Sequence, residues 1–69
     1  MNKYKYAELH GKIISRYGTL AAFADALEIN KNSVSNKLSG RTPWKEREIS
    51  KSCELLSISP VDVAFYFLL

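Results

Sequence analysis

A chain of 69 residues, 46% of them hydrophobic and 25% charged, has room for one small domain with one core and too much apolar content for a disordered segment. The formal charge of +3 is mildly basic and by itself selects no partner. Its single cysteine, Cys53, excludes an internal disulfide, and no Cys/His pair has metal-ligand spacing, so neither a metal nor any other cofactor is expected.

The first residues, MNKYKYAELHGK, lack the apolar run of a signal peptide, and the dense apolar run from Val63 to Leu69 is too short to span a bilayer. A soluble protein of a reducing compartment, without a membrane partner, is the expectation. Positive charge is unevenly placed. Lys31, Lys37, Arg41, Lys45, Arg47 and Lys51 face only Glu46 and Glu48 in the same stretch, whereas residues 19–30 carry Asp25 and Glu28.

In chain order, Tyr6, Leu9, Ile13, Ile14 and Tyr17 recur at spacings of three and four and predict a first helix over roughly 4–17, ended by Gly18. Thr19 is an N-cap for a second helix over roughly 20–27, with Leu20, Phe23, Ala24 and Leu27 as its apolar stripe. Asn30 caps a third, which starts at Lys31 and ends before Gly40. In it Val34 and Leu38 face inward, and Lys31, Asn32, Ser35 and Asn36 lie on the opposite or flanking sides.

Thr42-Pro43 reads as cap and first helical position of a fourth helix over roughly 43–56, with Ile49, Cys53 and Leu56 inward. Ser59-Pro60-Val61-Asp62 repeats the device for a fifth, which takes the rest. No stretch alternates with strand period. The fold class is all-α, five short helices.

The third helix carries the functional question, because Asn and Ser on a surface helix give up a few tenths of a kcal/mol each, ~0.3–0.5, against better helix formers. A second of two short helices, apolar on one side only, forms a helix-turn-helix when its polar side enters the major groove. Asn pairs with adenine, Lys donates to guanine, and Ser serves either. The Thr19 hydroxyl and the free N–H groups of the second helix would meet a phosphate.

The stretch TLAAFADALEINKNSVSNKLSG, with Thr19, Phe23, Ala24, Leu27, Ile29, Asn30, Val34 and Ser35 in place and Gly40 closing it, resembles the helix-turn-helix of phage repressor and Cro-like proteins. TPWKEREISKSCELLSISPVDVAFYFLL is similar to the two helices that complete such domains, so the resemblance covers residues 19–69. It implies a single lambda-repressor-like helix-turn-helix domain, the motif itself spanning about 19–38. In that frame Lys31, Asn32, Ser35 and Asn36 face the bases. Arg41 and Lys45 meet phosphates, and Ala24 lets the two helices approach. Asn30 and Lys37 are expected to join Thr19 at the phosphates. Two positions depart from the family pattern: Glu28 stands where Gly is common in the turn, and Leu20 where many members have Gln.

Other residues are bland by comparison. His10 has no acidic or thiol partner by spacing and is expected on a wet helix face; Cys53 is expected in the core; Trp44 is expected to pack. No catalytic constellation is present, and no enzyme is expected. VAFYFLL is apolar all round, so part of it, Phe65, Tyr66, Leu68 and Leu69, is expected to meet a second copy in a homodimer.

Together these features lead to the expectation of a sequence-specific regulator that binds a double-stranded DNA operator in the cytoplasm of a bacterial host, a repressor of the Cro kind. The alternative is an antirepressor or modulator of the same fold that grips a partner repressor protein.

Overall fold

Helix ends fall where an orphaned backbone group finds a substitute partner, and in this chain those substitutes set the architecture. The computed structural model describes residues 4–67: α1 (Ala7–Tyr17), α2 (Leu20–Leu27), α3 (Lys31–Leu38), α4 (Glu46–Leu56) and α5 (Val63–Phe67), with a 3-10 turn at Pro60–Asp62 before the last. There is no strand among the described residues. The all-helical expectation holds, with α2 and α3 bounded as the sequence predicts.

Three boundaries differ from expectation. α1 begins at Ala7: Tyr6, at φ −96 and ψ 60, leaves the helical conformation, and its N–H, which a helix start would leave without an intrahelical partner, bonds across the chain to the Leu38 carbonyl at 3.0 Å. α4 begins at Glu46, three residues past Pro43, for a reason that lies in the site below. The last segment is not one continuous helix. Ser59 makes no side-chain cap; the Asp62 N–H instead bonds the Ser59 carbonyl at 2.8 Å and closes a tighter 3-10 turn.

Two turns are built alike. Glu28 after α2 and Ser57 after α4 both take the left-handed conformation, at φ 64 and φ 56. In each the next residue's N–H reaches back five residues, Ile29 to Ala24 at 3.0 Å and Ile58 to Cys53 at 2.9 Å, while the left-handed residue bonds the carbonyl three before it. This is the Schellman arrangement, in which the residue after the cap also docks an apolar side chain on the helix it has left. Ile58 is buried and Ile29 half-buried accordingly. The matching strings Leu-Glu-Ile-Asn and Leu-Ser-Ile-Ser place the next helix's cap directly after each isoleucine.

α2 lies at the centre, packed against α1, α3 and α4. The core joins Leu9 and Ile13 from α1, Phe23, Ala24 and Leu27 from α2, Val34 and Leu38 from α3, Leu56, Ile58, and Phe67 from α5. Ala24 is 1% exposed, so a larger side chain there would push α3 away. On α4 the fully buried positions are Ser52 and Leu56, with Ile49 and Cys53 half-buried beside them. Trp44 packs edge-on against Tyr6 and Phe67, with ring centroids 6.4 and 5.3 Å away, and closes the core between the start of α1 and α5.

A residue with a Cβ held left-handed costs about 1 kcal/mol. Ser57→Gly is therefore expected to stabilise the protein by about 1 kcal/mol, and Glu28→Gly by a few tenths less, since it also gives up an exposed ion pair worth ~0.2–1 kcal/mol. Urea unfolding of both variants checks this; a midpoint that rises in neither would contradict the strain argument.

Candidate functional site

The polar face of α3 is helical and open, as the sequence requires of a contact surface. Lys31 and Asn32 are exposed, and Ser35 and Asn36 are half-buried. The helix carries no acidic residue in its first turn, and Lys31 stands at its first position, where a cation opposes the helix dipole by ~0.3–1 kcal/mol. A helix selected only for its own stability would place Asp or Glu there. Beyond its end the chain folds back, because the Arg41 and Thr42 N–H groups both bond the Asn36 carbonyl, at 2.9 and 3.4 Å. That turn holds exposed Arg41 next to the C-terminal end of α3.

Thr19 and Asn30 are exposed and serve as N-caps. The Thr19 hydroxyl accepts from Ala22 N–H at 3.1 Å, and Asn30 Oδ1 accepts from Asn32 N–H at 2.7 Å. Each keeps a donor, the hydroxyl hydrogen or the amide NH2, for an acceptor outside the protein.

Lys37 requires a correction. Expected at phosphates, it is instead 7% exposed, and its ammonium is held at 3.0 Å by the Glu48 carboxylate while donating to the Pro43 carbonyl at 3.2 Å. Val34, Lys37 and Leu38 stand at the i, i+3, i+4 spacing of one helix face, so the inward position of Lys37 was available from periodicity. A buried ammonium needs oxygens around it, and this need explains the late start of α4. In a helix the Pro43 carbonyl would be claimed by a backbone N–H; in the extended lead-in it is free for Lys37. Glu48 completes the arrangement by accepting from the Lys45 N–H at 2.9 Å, half of a capping box, lysine having no acceptor to return. Burial pushes the Glu48 carboxyl up, but the Lys45 N–H, the Lys37 hydrogen bond and charge, and the Lys45 charge outweigh it and hold the group below its ordinary value.

Beside α3, the α2–α3 turn and the first half of α4 enclose an open cleft of about 380 Å³. Leu27 and Ile29 form its apolar part, and Lys45, Arg47 and Lys51 bring positive charge to it. Lys51 pairs with Glu28 across it at 3.2 Å, with 42% of the lysine side chain exposed. From the sequence, Arg47 and Lys51 stand out only as part of the basic stretch and Glu28 only as a departure in the turn; none is assigned to a site. The available signal was the four-residue spacing of Arg47 and Lys51, which puts them on one face of α4.

The remaining candidates are quieter. Burial pushes the Cys53 thiol up, away from the thiolate a nucleophile needs. His10 is half-buried against Tyr4, ring centroids 4.6 Å apart, and not on a fully wet face. Phe65 is 54% exposed with the half-buried Tyr66 ring 5.0 Å away, and Val61 is exposed nearby in sequence. Phe67 from the same helix is in the core. Leu68 and Leu69, the other expected interface residues, lie outside the described residues.

The fold and surface define a class: a small all-helical domain whose third helix offers an open polar face between cationic flanks. The chain belongs to the family described as a protein of unknown function, DUF739, whose model matches residues 2–69. No curated protein sequence matches it. Among solved structures, the chain is similar to the modulator of repression (MOR) of the temperate bacteriophage TP901-1 from Lactococcus lactis, a solution structure. The two share 38% identity over 94% of this chain and 88% of that one, with a TM-score of 0.79.

Removing the buried ammonium leaves Glu48 without its charge partner, so Lys37→Ala is expected to cost about 2–4 kcal/mol, whereas Lys31→Ala stays within about 0.5 kcal/mol. Because the native Glu48 value lies below the unfolded one, its contribution is complete above the ordinary glutamate value of about 4.3 and is lost as pH falls through the lower native value. Denaturant titrations of the wild type, Lys37→Ala and Lys31→Ala at neutral pH test the first statement, and titrations of the wild type and Glu48→Gln across acidic pH test the second; an acid limb equally steep in Glu48→Gln would rule out Glu48 as its source.

Proposed function

We propose that this protein is a modulator of repression that acts by binding a partner repressor protein and performs no catalysis. The observation that carries this reading is the 38% identity, spread over 94% of the chain, to a phage protein described by that role. Two sequence features support it. Leu20 replaces the polar residue that begins helix 2 in many repressors of the resembling family, which removes a phosphate clamp. Glu28, 78% exposed in its side chain, places a carboxylate on the turn leading into α3, where a DNA backbone would repel it.

A second reading, direct binding of a double-stranded operator with α3 in the major groove, is favoured by the open face of Lys31, Asn32, Ser35 and Asn36 and by exposed Arg41 and Lys45. A homodimer through Phe65 and Tyr66 would serve either reading, by doubling the contact surface.

The purified chain is expected to form a complex with the repressor of its own genetic switch in the absence of DNA. Coexpression should change the output of a reporter under that repressor. Alone, at an ionic strength of about 0.15 M, the chain should select no motif from a pool of random duplexes. A selected motif, with affinity that falls steeply with salt and base preference relaxed by Lys31→Ala or Asn36→Ala, would replace this reading with direct DNA recognition. For self-association, sedimentation should show Phe65→Glu lighter than the wild type; equal masses would dismiss the dimer.

A further inference from the structure

A modulator can silence a DNA-binding partner by imitating DNA, and then it must present negative charge; the accessible charge on this protein has the opposite sign. We propose, resting on the partner-binding reading above, that the cleft between the α2–α3 turn and α4 receives an acidic side chain carried next to an aliphatic one on the partner. The protein therefore grips an acidic patch of its repressor and is not a mimic of phosphate.

The charge accounting inside the cleft supports this occupant. Both carboxylates there are already engaged, Glu48 with buried Lys37 and the Lys45 N–H, and Glu28 with Lys51. Arg47 has no ion-pair partner among the described residues. It stands one helical turn before Lys51, so the two cations rise on the same side of α4, about 5–6 Å apart at their Cβ atoms. A planar guanidinium beside an ammonium is suited to a carboxylate, which the arginine can take with two parallel hydrogen bonds. The apolar floor is supplied by Leu27 and Ile29, and the volume of about 380 Å³ lies at the small end of ligand clefts, sized for side chains and not for a helix.

Glu28 gives the site an internal competitor. Its carboxylate occupies Lys51 at 3.2 Å from a position 78% exposed, so an incoming acid exchanges places with it. The resident pair keeps the cleft's cations oriented when empty and is weak enough, being exposed, to be displaced.

The test begins with the full chain immobilised and a library of random short linear peptides displayed on phage. The consensus expected is Asp or Glu within a few residues of Leu or Ile. The affinity of the selected peptide is then measured by fluorescence anisotropy for the wild type and three variants, each checked for folding by circular dichroism. Arg47→Glu should weaken binding by about tenfold or more. Glu28→Gln keeps the turn and removes the competitor, so it should tighten binding several-fold, a change that no merely structural role produces. Lys12→Glu on α1, the same charge change elsewhere, should have little effect. A basic or absent consensus, affinities equal in Arg47→Glu and Glu28→Gln, or an equal loss in Lys12→Glu would each overturn the proposal. If the repressor binds Arg47→Glu as well as it binds the wild type, the cleft is wrong and the modulator reading stands. If the acidic peptide binds the cleft while the repressor does not bind the chain, that reading fails and the cleft survives.

Discussion

Burial of the Lys37 ammonium is the constraint on which the rest of the surface depends. A cation that is 7% exposed in so small a domain has to be surrounded by oxygen, and it gathers two from segments that are otherwise unrelated, the Pro43 carbonyl and the Glu48 carboxylate. Gathering them holds the lead-in to α4 extended, delays α4 to Glu46, and fixes the first turn of α4 against α3. Arg47 and Lys51 follow on that helix, so the cleft is oriented by the same ammonium. Lys37 lies on the inward side of α3, which leaves Lys31 and Asn32 outward.

The two left-handed turns are the second device by which a short chain keeps its helices in place. A core with ten buried hydrophobic residues among those described has little surplus stability, and the isoleucine after each turn adds a docked side chain at the point where the chain reverses. Both turns keep a residue with a Cβ where glycine would be easier. At Ser57 nothing in the structure explains it. At Glu28 the side chain reaches Lys51 at the cleft, so conformational cost and charge placement coincide at one residue.

Charge distribution and family relationship lead to one consistent picture. Membership of a family described only as of unknown function says nothing about chemistry, but similarity to a phage modulator of repression directs attention to protein partners. Under the proposed reading, the exposed cations Lys31, Arg41, Lys45 and Arg47 would call for an acidic surface on the partner. A polar α3 face of this kind suits nucleobases and an acidic protein alike, because Lys, Asn and Ser can donate hydrogen bonds to the acceptors of either.

By itself the sequence determined the helices, because amphipathic spacing and caps at Thr19 and Asn30 are local and act through neighbours a few residues away. It determined the composition of the α3 face for the same reason. It misplaced the start of α4 and the role of Lys37, since a Thr-Pro start signal is overruled when a buried ammonium from six residues earlier claims the Pro43 carbonyl. The cleft was equally hidden. Glu28 and Lys51 are 23 residues apart and meet only after α2 has packed on α4, and local patterns carry no record of which side chains a packed core brings together.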